Sequence, residues 1–172
     1  MGYLRYWISV FILANCIIPA HADALPEYQL KAAILYNFTT FIEWPEDIGS
    51  ALNLCVYGED PFGEYLDALQ DKKVSSRLLI VHRVTVIEEL NDCHAVFITR
   101  SANKVLPEVV GQLHGKPVLT IADMPSAAKR GVILNMIVEQ NRISFDANIS
   151  AAANNGLTVS SKLLRLAKEV IQ

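Results

Sequence analysis

The sequence lacks the motifs that common catalytic and nucleotide-binding sites require. It contains no GxSxG elbow, no P-loop and no GxGxxG fingerprint, which argues against the familiar serine-nucleophile and phosphate-binding sites. His82, His94 and His114 are too far apart in sequence to share a local metal motif. His94, which begins an apolar segment, is expected to be a hydrogen-bonded structural residue. We therefore predict a protein that is not an enzyme and that carries no cofactor or metal.

Basic residues are also sparse and form no block. The chain has 15 lysines and arginines against 18 acidic residues, for a net charge of −3. Binding to nucleic acid or to anionic membrane surfaces depends on clustered positive charge. The charge pattern therefore argues against both partners.

Long apolar runs are absent beyond the first 22 residues. Arg5 precedes an apolar stretch of about 12 residues that ends before Pro19, and a membrane-spanning helix needs about 20. Ala20-His21-Ala22 then supplies the small-x-small pattern of a signal-peptidase site. We predict a cleaved signal peptide over 1–22 and a periplasmic mature chain over 23–172.

Two alternatives remain for this leader. It could be retained as an uncleaved N-terminal anchor. It could also be lipidated at Cys16, since Leu13-Ala14-Asn15-Cys16 loosely resembles a lipobox.

Cysteine is scarce, and only Cys55 and Cys93 follow the leader. In an oxidising compartment two cysteines more often pair than stay free. A bond between them would close a loop of about 38 residues, which is worth roughly 3–4 kcal/mol in chain entropy. Two buried, unpaired thiols are the alternative.

The first structured segment predicts a helix from Pro26 to Trp44. Its apolar face would carry five residues at helical spacing. These are Leu30, Ile34, Phe38, Phe41 and Ile42. The opposite face would carry Lys31, Tyr36, Asn37 and Glu43.

Short apolar strands then alternate with helices, a pattern typical of a parallel sheet covered on both faces. Predicted strands are Leu52–Gly58, Arg77–Val84, His94–Thr99 and Pro117–Ala122, followed by a hairpin of Val132–Val138 and Arg142–Asn148. Predicted helices are Pro61–Gln70, Asn103–Leu113, Ala151–Asn155 and a last one capped by Ser160 that carries Leu163, Leu166, Ala167 and Val170. We predict a single three-layer α/β domain. Its mixed, mostly parallel sheet would have about six strands, helices on both faces, and a C-terminal β-hairpin and helices.

Right-handed crossovers favour a 2-1-3 strand order in such sheets. That order would place the Cys55 strand beside the strand that follows Cys93. Neighbouring strands lie about 4.8 Å apart, close to the Cα separation that disulfides prefer. The predicted topology therefore favours pairing of the two cysteines.

Four residues are candidates for a ligand or partner edge. Asp60 and Asp123 follow the first and fourth predicted strands, at the edge where α/β sheets gather ligands. Both could instead be solvated loop residues or helix caps. Tyr36 and Trp44 belong to an aromatic group that could form either core or a partner surface.

Seven segments along the chain resemble the YfiR-like family, with its DUF4154-type domain. They are Lys31–Phe38, Phe41–Pro45, Leu54–Gly63, Cys93–Ile98, Pro117–Asp123, Ile143–Asn148 and Gly156–Leu164. The resemblance covers essentially the whole predicted mature chain in order. It implies a non-enzymatic periplasmic regulator.

The resemblance also implies partners. Proteins of the YfiR type bind the periplasmic sensor domain of an inner-membrane diguanylate cyclase and repress it, which lowers cyclic-di-GMP and biofilm formation. An outer-membrane lipoprotein can sequester the regulator. Cys55 and Cys93 match a disulfide pair of the family, whereas a second pair found in some relatives has no counterpart in 127–134. A homodimer and the partner surface are left open by the sequence.

A second functional hypothesis is a periplasmic small-ligand-binding accessory protein for a sensor kinase or transport system. The acidic residues at the predicted sheet edge, Asp60 and Asp123, motivate it.

Overall fold

A computed structural model describes residues 26–46, 48–140 and 142–172 of the chain. The predicted signal peptide over 1–22, including Cys16, lies outside the described residues. No helix within these three ranges combines the length and apolar character needed to cross a bilayer.

The elements alternate as the apolar pattern predicts. The helices are α1 (Glu27–Thr40), α2 (Glu64–Asp67), α3 (Leu106–Leu113), α4 (Ile149–Asn154) and α5 (Ser161–Leu164). The strands are β1 (Ile42–Glu43), β2 (Ala51–Tyr57), β3 (Lys73–Val74), β4 (Arg77–Val84), β5 (Ala95–Ile98), β6 (Leu119–Ala122), β7 (Leu134–Glu139), β8 (Arg142–Asn148), β9 (Thr158–Val159) and β10 (Glu169–Ile171). Three 3-10 segments, Ile87–Asp92, Arg100–Val105 and Ala128–Arg130, complete the connections.

The main sheet has eight strands in the order β10-β8-β7-β6-β5-β2-β4-β3. Strands β4, β2, β5, β6 and β7 run parallel, and β8 turns back antiparallel to β7. The predicted adjacency is confirmed, since Cys55 of β2 lies opposite Val96 of β5. The sheet exceeds the predicted six strands because the short strands β3 and β10 extend its two edges.

Both faces of this sheet are covered, as a largely parallel sheet requires. On one face α1, α2 and α5 bury Leu35, Leu66 and Leu163 against the sheet. On the other face α3 and the 3-10 segment at Ile87–Asp92 bury Val109 and Leu90. The described residues therefore form the single α/β domain that the sequence predicts.

Three predicted helices are shorter than expected. Only Glu64–Asp67 of the predicted helix Pro61–Gln70 is α-helical, and backbone pairing ends the first and the last. Helix α1 stops at Thr40, and Ile42 pairs with Val159 in the two-stranded β1–β9 sheet. Similarly, α5 ends at Leu164 and the chain joins the main sheet as β10. Leu166, predicted on an apolar helical stripe, is 69% exposed.

A disulfide joins Cys55 on β2 to Cys93 just before β5. The two Cα atoms lie 6.0 Å apart, within the range that disulfides adopt. Both residues are buried on the α3 face of the sheet. The bond thus locks two neighbouring central strands that are separated by 38 residues of chain.

Beside this disulfide, His94 pairs with Asn53 through two contacts. The Asn53 N–H donates to His94 Nδ1 at 2.9 Å, and the His94 N–H donates to the Asn53 carbonyl at 2.9 Å. An Nδ1 that accepts a hydrogen bond must be unprotonated. Burial, and then the nearby Arg77, lower the pKa of His94 below 6.5.

We expect this pairing to make the domain less stable in mild acid. Below pH 6.5 the unfolded imidazole binds a proton more readily than the folded one, so the free energy of unfolding falls as pH decreases through that window. In His94→Gln the free energy of unfolding should depend less steeply on pH. His114→Gln, at an exposed histidine, should keep the wild-type dependence. Urea unfolding from pH 7 to 5 measures the slopes. Identical slopes for the wild type and His94→Gln would contradict the assignment.

Candidate functional site

A charged cluster forms where α1 crosses the carboxyl end of β6. Lys31 of α1 is completely buried and contacts both Glu27, one helical turn earlier, and Asp123, which directly follows β6. Arg100, which follows β5, approaches the same Asp123 oxygen, Oδ2, with its Nε at 3.2 Å. The Tyr28 hydroxyl lies 3.4 Å from that oxygen. The cluster therefore ties the helix to the carboxyl ends of two central strands.

The position of Lys31 corrects the predicted orientation of α1. The predicted polar face carries Lys31, which is fully buried, and the predicted apolar face carries Leu30, which is 36% exposed. The helix turns this way because Lys31 finds a buried carboxylate at Asp123, and a buried charge is tolerated only when it is paired. No signal in the sequence alone identifies that partner, which is 92 positions away.

An open cleft of about 880 Å³ lies beside this cluster, at the same edge of the sheet. Its walls come from the segment after β6, from the β7–β8 hairpin and from the approach to β10. The side chains that matter below are Arg100, Asp123, Lys129, Asn135, Ile137, Glu139, Asp146, Lys168 and Glu169. We call this space the carboxyl-edge cleft.

Most charges of the carboxyl-edge cleft are paired with one another. Lys168 Nζ lies 2.6 Å from Glu139 Oε1, and Lys129 Nζ lies 3.0 Å from Glu169 Oε1. Asp146 differs from them, because its buried Oδ1 has no hydrogen-bond partner among the described residues. The Oδ1 of Asp123 is the other such atom in the described part of the chain.

Of the four residues predicted at a ligand or partner edge, only Asp123 lines this cleft. Asp60 Oδ1 accepts a hydrogen bond from the Phe62 N–H at 2.7 Å, and its Oδ2 pairs with Arg83. The Tyr36 hydroxyl donates to the Lys73 carbonyl, and Trp44 Nε1 donates to the Thr39 carbonyl. Both aromatic residues are half-buried against the core, and neither they nor Asp60 line the carboxyl-edge cleft.

The backbone after β2 lies close against the segment after β5, at the point where the strand order of the sheet reverses. Gly58 directly follows β2 with φ +102°, and a Cβ there would collide with the hydroxyls of Thr99 and Ser101. The Ser101 hydroxyl also accepts a hydrogen bond from the Glu59 N–H. Open space therefore lies further along the sheet, over β6, β7 and β8.

Sequence reasoning did not single out Lys31, Arg100 or Asp146 for this edge of the sheet. Arg100 was detectable, because it follows a predicted strand just as Asp123 does. Asp146 was not, because it lies inside the predicted hairpin and only the strand order shows which cavity it faces.

The fold and the cleft define a class of α/β domain. Its mixed sheet is covered on both faces, and a cluster of charged side chains lies at the carboxyl edge of that sheet. Residues 28–168 match the family described as YfiR/HmsC-like (DUF4154). The chain belongs to this family, which is a regulatory one.

Solved structures show the same fold at low sequence identity. The ABC domain in complex with L-Trp from Streptococcus pneumonia is 11% identical, with a TM-score of 0.54. A conserved domain protein from Vibrio cholerae O1 biovar eltor is 8% identical, also with a TM-score of 0.54. In each case the alignment covers 84% of this chain and 60% of the other, so this chain spans well under two thirds of the length of those proteins.

Proposed function

We propose that this protein is a periplasmic regulator that represses an inner-membrane diguanylate cyclase by binding the cyclase's periplasmic sensor domain. Family membership carries the proposal. The outcome of binding would be lower cyclic-di-GMP and less biofilm. An outer-membrane lipoprotein that sequesters the regulator would release the cyclase.

The mechanism requires only differential affinity. A binder shifts a two-state sensor by no more than the difference between its affinities for the two states. A rigid binding surface serves this purpose, because little ordering free energy is then spent on association. The disulfide between β2 and β5 and the Lys31–Asp123 pair supply rigidity in this domain.

The exposed stripe of α1 is our candidate for the partner surface. It consists of Leu30, Ala33, Asn37 and Thr40, which recur at helical spacing and are all exposed. None of the four is charged, and depletion of charge is typical of the centre of a protein interface. Two half-buried aromatic residues are close in sequence to this stripe, Tyr36 within α1 and Trp44 just after the helix.

Deleting the gene in its native bacterium and measuring cyclic-di-GMP tests the proposal. We expect a rise in cyclic-di-GMP and in biofilm mass, reversed when the wild-type gene is supplied again. Unchanged cyclic-di-GMP, both at rest and under envelope stress, would eliminate the cyclase function.

A pair of variants locates the surface in the same assay. Ala33→Arg places a bulky charge in the α1 stripe, and we expect it to fail to restore low cyclic-di-GMP. Glu108→Arg, at an exposed position of α3 on the opposite face of the sheet, is the control and should restore it. Full restoration by Ala33→Arg at equal protein level would place the surface elsewhere.

One observation favours a second candidate, a small-ligand-binding accessory protein for a sensor kinase or transport system. The carboxyl-edge cleft is open and contains two buried carboxylate oxygens that have no hydrogen-bond partner among residues 26–46, 48–140 and 142–172. The solved structure with L-Trp shows that this fold can belong to a ligand-bound protein.

A further inference from the structure

The side chain of Asp146 is nearly enclosed, yet it forms no ion pair within the described residues. The residue is 8% exposed, and it lies in register with Asn135 of β7, which also lines the carboxyl-edge cleft. Phe145, its neighbour along β8, packs into the core on the opposite face, so alternation turns Asp146 toward the cleft. Its Oδ1 has no hydrogen-bond partner there.

The charges around Asp146 cancel in pairs. Lys168 is held by Glu139 and Lys129 by Glu169. Lys31 and Arg100 are matched by Asp123 and Glu27, since Lys31 contacts both acids and Arg100 pairs with Asp123. One negative charge, that of Asp146, is left without a counterion in the described part of the chain. Because an unpaired buried carboxylate is costly, the missing complement is a single positive charge.

We propose that the carboxyl-edge cleft binds a small organic cation whose primary ammonium group donates hydrogen bonds to Asp146. The free Oδ1 of Asp123 is the second acceptor for donors of the same ligand. This inference names the ligand class for the second functional candidate. It stands whether or not the protein represses a cyclase.

A metal ion fits the cleft less well than an ammonium group. The described residues contain no cluster of three or more histidine, cysteine or acidic side chains placed to hold a metal. Lys31 and Arg100 already occupy the other oxygen of Asp123, so this carboxylate could offer a metal only one oxygen. An ammonium group needs only hydrogen-bond acceptors and one negative charge.

The rest of the cleft suits a short alkyl chain on that ammonium group. Apolar residues line it beside the acidic ones, among them Met124, Pro125 and Ile137. A volume of about 880 Å³ readily contains a four-carbon amine. The ligand class is therefore a primary alkylamine.

The titration of Asp146 agrees with this assignment. Burial, and next the charge of Glu169, raise its pKa above 3.8, and Glu139 acts in the same direction. Lys168 and Lys129 oppose this rise in pKa. A bound cation favours the ionised carboxylate, so amine binding should release protons and should strengthen as pH rises above 3.8.

Calorimetric titration of the purified mature chain with n-butylammonium chloride tests the proposal. We expect saturable binding of one amine per chain. Asp146→Asn, which removes the charge at constant side-chain size, should weaken binding at least tenfold. Asp71→Asn, an exposed acid in the loop before the opposite edge strand β3, removes the same charge and should leave the affinity within twofold.

Two further arms separate specific binding from general attraction. Tetramethylammonium chloride carries the same charge but no N–H donor, and we expect it to bind at least tenfold more weakly than n-butylammonium. Ile137→Lys places a tethered ammonium next to Asp146 and should also weaken n-butylammonium binding. This variant provides a second test should Asp146→Asn fail to fold.

Several results would overturn the inference. They are the absence of saturable binding of n-butylammonium, equal affinity for tetramethylammonium, or wild-type affinity in folded Asp146→Asn or Ile137→Lys. Since these measurements use pure protein, they leave the cyclic-di-GMP phenotype as an independent test of the proposed function.

Discussion

Removing the Cys55–Cys93 bond should lower the free energy of unfolding by roughly 3–4 kcal/mol. The disulfide closes a loop of 38 residues, and opening such a loop returns about that much chain entropy to the unfolded state. A typical domain has only about 5–15 kcal/mol in total. Urea unfolding of Cys55→Ala/Cys93→Ala measures the loss, and the yield of this variant in the periplasm should fall with it.

Reduction of the wild-type protein is the control for this prediction. The reduced chain keeps both sulfur atoms, so it separates loss of the cross-link from loss of side-chain packing on the α3 face. We expect reduced wild type to lose most of what the double variant loses. A loss below about 1 kcal/mol after complete reduction would show that the bond contributes little.

Lys31→Met should destabilise the domain by about 3–5 kcal/mol, although it replaces a charged residue with an apolar one of similar size. Lys31 is completely buried against Asp123, whose side chain is 1% exposed. Removing one member of a buried ion pair strands the charge of the other. Arg100 alone then remains near Asp123, and it is more than half exposed. Thermal and urea unfolding both measure the effect.

Two companion variants test this explanation. Lys31→Met/Asp123→Leu removes both charges and should recover most of the lost stability, because buried ion pairs are often replaceable by well-packed apolar residues. Lys104→Met, at an exposed lysine, should change stability by no more than about 0.5 kcal/mol. If the double variant were as unstable as Lys31→Met, loss of packing rather than a stranded charge would explain the effect.

Both regions lie close to the proposed functions. The Lys31–Asp123 pair fixes α1, whose exposed stripe is the candidate partner surface, and Asp123 also lines the carboxyl-edge cleft. Effects of Lys31 variants on partner binding must therefore be compared at equal folded fraction.

The central strands were predictable from the sequence because strands buried on both faces consist of continuous apolar runs. Segments 54–57, 95–98 and 119–122 are apolar almost throughout, as strands covered on both faces must be. The adjacency of β2 and β5 followed from the handedness of crossovers. That adjacency, together with an exported chain, pointed to the Cys55–Cys93 bond that the structure contains.

Helix boundaries and the orientation of α1 were not predictable in the same way. Trp44-Pro45 marks a point that a helix cannot pass, but α1 ends earlier because Ile42 pairs with Val159 far along the chain. The terminal segment likewise became β10, since the edge of β8 was available for pairing. Local propensity has no access to such distant partners.

By itself, the sequence determined the class of fold, the order of its central strands and the family, because apolar periodicity, crossover handedness and extended motifs are properties of the chain. Only the tertiary structure decided which charges meet. Lys31 is buried because it pairs with Asp123 at the carboxyl edge of the sheet. Asp146 faces an open cleft because of its position in the β7–β8 hairpin. Charge pairing depends on distances between residues remote in sequence, and those distances exist only in the folded molecule.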